Sequence, residues 1–152
     1  MLFQKFDEII QANNLEKIKT IGDAYMAVGG LPVTNNSHAI DVINAALEIK
    51  DFIEAYKQKK MAQNKPVFEV RIGVHTGNVV AGIVGLKKFA YDIWGDTVNL
   101  ASRMESSSKP GKINISGTTY ELVKDHFVCT YRGKIMAKNK GVVDMYFVEG
   151  AK

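Results

Sequence analysis

Residues 91–104 read Tyr-Asp-Ile-Trp-Gly-Asp-Thr-Val-Asn-Leu-Ala-Ser-Arg-Met, an extended-type run that breaks at Gly95 and resumes with helical spacing. The pattern predicts a short strand ending at Gly95, a cap at Asp96 or Thr97, and a helix from about Val98. On that helix Asn99 and Arg103 are four residues apart and stack on one face, while Leu100 and Met104 form the matching apolar pair. With Asp92 on the feeding strand, one short unit offers an acceptor, a neutral amide and a cation to the same neighbourhood. Core packing alone does not ask for that density of polar chemistry.

Before this unit, Phe68, Val70, Ile72 and Val74 alternate with polar or small residues, which predicts a half-buried strand running to a turn at Thr76-Gly77-Asn78. Residues 79–84 are apolar throughout and predict a returning strand, so that the two form a hairpin. His75 has no Ser, Cys or second metal-type ligand at a useful spacing and is expected to be a core histidine rather than a base. Nearer the start, residues 2–12 carry apolar side chains at helical spacing. Residues 17–28 form two alternating runs joined at Gly22-Asp23, a hairpin whose turn needs glycine's tolerance of positive φ. Alone, Asp23 reads as a turn former and Lys19 as a solvated strand residue. Asn35-Asn36-Ser37 offers caps for a long helix burying Ala39, Val42, Ile43, Ala46, Ile49 and Ile53, expected to end before a lysine-rich connector at residues 57–66; His38, in its first turn, reads as structural.

Beyond residue 104, Pro110-Gly111 turns the chain into a strand at 113–115, and Ser116 caps a short helix carrying Tyr120, Leu122 and Val123. A strand at 127–131, a turn at Gly133, a short strand at 134–137 and a closing strand at 142–148 complete the chain. Helices and strands alternate, which predicts an α+β sandwich with helices packed on one face of a mixed sheet.

The totals narrow the function classes. A chain of 152 residues is one domain with room for a core, and 46% hydrophobic with 24% charged residues is the balance of a soluble globular protein. The net charge of +4 is spread thinly, through Lys57, Lys59 and Lys60 and through Lys134, Lys138 and Lys140, without any nucleic-acid reader motif. No nucleic-acid partner is therefore expected. One cysteine, Cys129, cannot form an internal disulfide, no apolar run is long enough for a membrane span, and the first residues lack a signal-peptide core. The expectation is a cytoplasmic segment without membrane contact.

Two stretches, residues 17–28 and 91–104, with Arg71-Ile-Gly-Val-His-Thr-Gly77 and Ala81-Gly-Ile-Val-Gly85 between them in the same order, resemble the catalytic domain of class III nucleotidyl cyclases, the adenylyl and guanylyl cyclase family. The resemblance covers nearly the whole chain. It implies a ferredoxin-like α+β core, a head-to-tail homodimer with active sites between the subunits, and conversion of a nucleoside triphosphate to its 3′,5′-cyclic monophosphate and pyrophosphate. Cyclisation aims the ribose 3′-hydroxyl at the α-phosphate, so cations must gather where charge develops.

On the matching positions, Asp23 is a metal-binding aspartate for Mg²⁺ or Mn²⁺, and Lys19 and Asp92 read the purine. A lysine donates to adenine N1 and an aspartate accepts from its N6 amino group, whereas guanylyl cyclases carry Glu and Cys there. The pair implies ATP. Asn99 and Arg103 match the residues that orient the ribose and stabilise the transition-state phosphate, and Arg71 and Lys138 match cationic contacts to the triphosphate. Lys138 lies in Lys-Asn-Lys-Gly where the family more often has Lys-Gly-Lys-Gly.

One departure is an absence. The family carries a first metal-binding aspartate on a central strand ahead of a helix resembling residues 2–12, and this sequence has no residues there. The expectation is a single cyclase domain over residues 1–152, truncated at its N-terminal end and inactive as given. Its first central strand would be missing, and the gap would be closed by rearranged or swapped strands or an altered dimer. The alternative is a catalytically silent, cyclase-like domain that binds a nucleotide or dimerises.

Overall fold

The computed structural model describes residues 2–67, 69–85, 88, 90–137 and 141–152. Helix α1 (Leu2–Ala12) leads into the hairpin β1 (Glu16–Ile21) and β2 (Ala24–Val28), followed by the long helix α2 (His38–Ala62). Then come β3 (Ile72–Val74), the pair β4 (Val80–Val84) and β5 (Ala90–Trp94), α3 (Asp96–Ser106), β6 (Ile113–Ser116), α4 (Gly117–Val123), β7 (Phe127–Ala137) and β8 (Gly141–Ala151). A four-stranded sheet runs β3-β6-β8-β7, with β3 and β6 parallel and the other neighbours antiparallel. The expected α+β architecture with a mixed sheet is present. The β1–β2 and β4–β5 ribbons remain separate two-stranded sheets, and β3 is an edge strand of the four-stranded one among the described residues.

The alternation along β3 and β6 shows how the layers form. Ile72, Val74, Ile113 and Ile115 point to one side, where they pack with Ala39, Ile43 and Ala46 of α2 and with Val123 of α4. Gly73 and Asn114 point to the other, against the last turn of α3. Helices therefore cover both faces, not one as expected, because every residue of β6 is buried and both of its faces need a cover. A second face of α2, Ala45 with Ile49 and Phe52, packs on Ile9 and Ile10 of α1 and on Tyr25 of β2. The long helix thus ties the first hairpin to the main sheet.

Several boundaries differ from the sequence expectation. Residues 57–62, expected as solvated connector, continue α2, since Lys, Gln, Met and Ala are good helix formers and Lys59 and Lys60 in the last turn suit the helix dipole. The helix stops where Asn64 takes a φ of 54°. Strand β3 is confined to residues 72–74, and Phe68 of the expected longer strand lies outside the described residues.

The second expected hairpin does not form. Thr76 bonds the Thr119 hydroxyl at 2.8 Å and the Asn78 carbonyl accepts from Thr97 at 2.6 Å, so the 75–79 loop is drawn onto α3 and α4 and β4 pairs with β5 instead. The residues around Gly133 are not a turn: β7 is continuous, and Gly133, at a φ of 109°, absorbs an irregularity in its register with β8. Among the described residues no helix is long and apolar enough to cross a membrane.

Gly73 sets how close α3 lies to the sheet. A Cβ there would come within 2.0 Å of the Glu105 backbone nitrogen, an approach only glycine allows. Gly73→Ala is expected to destabilise the protein by about 3 kcal/mol or more, since the clash is with backbone. Gly150→Ala, where an added Cβ meets nothing within 4 Å, should shift stability by under about 0.5 kcal/mol. Urea midpoints of the two variants check the contrast.

Candidate active site

The site is built on three elements. On β1 an irregularity in register between Lys17 and Lys19 rotates the strand, and Ile18 turns into the core while Lys19 turns outward. Lys19 Nζ then lies 3.0 Å from Asp92 Oδ2 on β5, across 73 residues of sequence. The Lys19 side chain is 41% exposed and that of Asp92 21%, so both remain open to a ligand. Asp92 Oδ1 accepts from the Ile93 backbone N–H at 2.8 Å. Lys19, followed by that N–H, holds the Asp92 carboxyl below the usual carboxylate range, and it stays ionised at neutral pH. A donor and an acceptor are thus fixed side by side, as recognition of a purine edge requires.

The strand-to-helix turn at Gly95 carries the second element. Gly95 takes a φ of 122° and is itself the cap of α3, which starts at Asp96 rather than near Val98. The cap position thus falls one residue before the expected Asp96 or Thr97, and the Thr97 hydroxyl is committed to the Asn78 carbonyl. Leu100 is 6% exposed and Met104 fully buried. Asn99 and Arg103, on the other face, are exposed. The Arg103 guanidinium makes no ion pair or hydrogen bond with any described residue. A cation without a partner among the described residues therefore stands one helical turn beyond the Asn99 amide, on the helix that directly follows Asp92.

Asp23 is the third element, exposed at the tip of the β1–β2 turn next to Gly22, whose φ is 58°. The hairpin is held from below: the Tyr25 hydroxyl donates to Asp7 Oδ1 at 2.6 Å, Lys17 pairs with Asp7 at 3.2 Å, and the rings of Phe3 and Phe6 pack on Tyr25. Burial, reinforced by the Asp7 carboxylate, pushes the Tyr25 hydroxyl's pKa well above its ordinary value. Sequence alone did not single out this Asp7–Tyr25 clamp; an aspartate within an otherwise apolar helix face is its faint signal.

Asp23 fits a hard divalent cation by its oxygen chemistry and its freedom to project. Among the described residues, however, no group of three His, Cys, Asp or Glu side chains could hold a metal.

Two further cationic contacts to the triphosphate were expected at Arg71 and Lys138. Arg71 Nη2 pairs with Glu105 Oε2 at 3.1 Å, which commits it to the C-terminal end of α3. Lys138 lies outside the described residues. His75 is half-buried and shares a 2.6 Å hydrogen bond with the Ser116 hydroxyl, in keeping with a core role. An open cleft of about 770 Å³ follows the first turn of α3, bounded by Thr97, His75, Asp144 and Tyr146, but neither Asn99 nor Arg103 lines it.

The surroundings of Asp92 are apolar and open. Strand pairing sets Val80 opposite Trp94, Gly82 opposite Asp92 and Val84 opposite Ala90, so the carboxylate stands between two apolar cross-strand pairs. Val80 is 55% exposed and Trp94 44%.

This fold and this arrangement of donor, acceptor, amide and cation define a nucleotide-handling domain of the cyclase type. The family model for the adenylate and guanylate cyclase catalytic domain matches residues 1–150, and the chain belongs to that family. It is 43% identical to a receptor-type guanylate cyclase of Caenorhabditis elegans and 42% identical to an adenylate cyclase of Mycobacterium bovis, over 99% of the chain in each case. The chain spans 15% of the first relative's length and 33% of the second's. Among solved structures, the guanylate cyclase domain of RhGC from Catenaria anguillulae in complex with GTP superposes with a TM-score of 0.90 at 38% identity, over 99% of this chain and 81% of that one. Relatives of both nucleotide specificities lie at nearly equal distance.

Proposed function

We propose that the chain is the catalytic domain of an adenylyl cyclase, which converts ATP to 3′,5′-cyclic AMP and pyrophosphate at the interface of a homodimer. The observation that carries this reading is the contact between Lys19 and Asp92. Two residues far apart in sequence meet as the donor and acceptor that adenine's N1 and N6 call for, and a site built for one hydrogen-bonding pattern rejects the reversed one strongly. Asn99 orients the ribose, and Arg103 answers the charge that develops on the phosphate. Asp23 serves as a ligand to Mg²⁺ or Mn²⁺, which neutralises triphosphate charge when bound. The exposed apolar pairs flanking Asp92 support a subunit interface at this face.

The test is product formation from ATP and from GTP with Mn²⁺, made on this chain and on the whole protein that contains it. Cyclic AMP is expected from the whole protein, with GTP a poor substrate. Since the described residues gather no group of three His, Cys, Asp or Glu side chains around a metal position, the chain alone is expected to bind ATP without turnover. Cyclic GMP as the main product overturns the adenylyl assignment. Nucleotide binding with no cyclic product from the whole protein establishes the second reading, a silent domain that binds nucleotide or dimerises.

A further inference from the structure

Asn114 is fully buried on β6, the second strand of the main sheet, and its Oδ1 has no hydrogen-bond partner among the described residues. An apolar side chain of the same size would fill this place without leaving a buried acceptor unsatisfied. What the amide supplies is its donor: Nδ2 reaches the Met104 carbonyl of α3 at 2.9 Å, with the sulfur of Met145 at 3.3 Å and that of Met104 at 3.8 Å.

The last four carbonyls of a helix lack partners within it and must find them elsewhere. In α3 the Arg103 carbonyl accepts from the Ser107 N–H at 2.9 Å and the Glu105 carbonyl from the Ser108 N–H at 3.0 Å. The Met104 carbonyl between them accepts from Asn114, across the sheet. One residue further along, the absent Cβ of Gly73 lets the Glu105 backbone lie against β3. Arg132 Nη1 caps the Ser107 carbonyl at 2.8 Å. The end of α3 is thus pinned to the sheet at successive residues, and the pin at Met104 is adjacent to Arg103.

We infer that Asn114 is a positioning residue for the reaction proposed above: by capping the Met104 carbonyl from within the sheet it fixes the height and rotation of α3, and with them the Arg103 guanidinium. Asn114 touches no solvent and meets no substrate. It acts through the helix backbone, so its loss should appear as a misplaced Arg103 rather than as weaker nucleotide binding. The inference depends on the cyclase reading only for the last link, from Arg103 to turnover.

The experiment has two arms, both on the whole protein. In Asn114→Leu, exchange of the Ser107 and Ser108 amides is expected to accelerate about tenfold or more while the β7 and β8 amides change less than about twofold, a local opening rather than a global one. In the second arm, kcat for cyclic AMP is expected to fall about 10- to 100-fold with KM for ATP held within about threefold. In an Arg103→Ala background the same substitution should cost less than about threefold more, because it acts through the missing side chain.

Unchanged exchange at Ser107 and Ser108, uniform acceleration across the sheet, or an equal kcat loss in both backgrounds overturns the inference. Should Asn114→Leu not fold, Asn114→Asp decides. Its buried acid donates to the Met104 carbonyl only while protonated, so protection of Ser107 and Ser108, corrected for intrinsic exchange, should hold near about pH 5 and be lost near about pH 8. Protection independent of pH overturns the inference. Absence of cyclic AMP from the wild-type whole protein removes the cyclase reading, while the exchange arm still decides whether Asn114 pins α3.

Discussion

Arg103→Ala is expected to lower kcat for cyclic AMP formation by about 10²- to 10³-fold while changing KM for ATP little, as measured by steady-state kinetics of the whole protein. The reasoning starts from the charge. Arg103 is exposed, free of ion pairs with the described residues, and mounted on a helix anchored by the buried Leu100 and Met104 on its neighbouring face. A cation carried on an anchored helix and not committed to a carboxylate is available when negative charge builds on the phosphate, and its contribution is expected to fall mainly on the transition state. Lysine should rescue only part of the loss, since a flexible ammonium lacks the planar fork that engages two phosphate oxygens at once. A loss carried wholly by KM would instead make Arg103 a ground-state binding group.

The parts of this site that were legible in the sequence are those encoded locally. Helical spacing placed Asn99 and Arg103 together on one face with Leu100 and Met104 as the matching apolar pair about 100° round the helix, and the glycine at position 22 marked a turn whose φ is positive. The Ser116 cap was legible as well, and its hydroxyl accepts from the Thr119 N–H. Long-range pairing was not. Nothing in the alternation of residues 68–74 says that β3 pairs in parallel with β6, some forty residues on, instead of folding back on β4. That outcome is decided by the 75–79 loop docking through Thr76 and Asn78, which are ordinary turn residues when read alone.

Polarity misled where propensity was the stronger signal. The lysine-rich residues 57–62 looked like a loop because they are charged, yet they are helix formers and remain in α2. Asn114 and Gly73 were silent for a different reason. A polar residue within a strand and a glycine beside it look like weaknesses of the strand until the backbone of α3 is seen lying against both. The contact between Lys19 and Asp92 was implied by the family resemblance and by no local pattern, and it is the point at which the structure adds most to the sequence.

Exchanging the purine readers, Lys19→Glu together with Asp92→Cys, is expected to shift the ratio of kcat/KM for ATP over GTP by about 10³- to 10⁴-fold toward GTP. Guanine presents an acceptor at O6 and a donor at N1, the reverse of adenine, and the double variant reverses the protein's pattern to match. The single changes should be worse than the double one. Lys19→Glu alone places a second carboxylate where Nζ now lies 3.0 Å from Asp92, and like charges at that distance oppose each other as well as the nucleotide.

The acid side of the pH profile separates this assignment from an incidental surface ion pair. Lys19 and the Ile93 N–H hold the Asp92 carboxyl below the usual carboxylate range, so the wild-type preference for ATP should stay level through mildly acidic pH. Whatever stability the pair adds is present above the ordinary carboxylate pKa and is lost only as pH falls through the lowered value. Once protonated, Asp92 becomes a donor and no longer accepts from adenine N6, so discrimination should weaken at that point and not before. If discrimination is unchanged in the double variant, Lys19 and Asp92 do not read the base, and their contact serves only to hold β1 against β5.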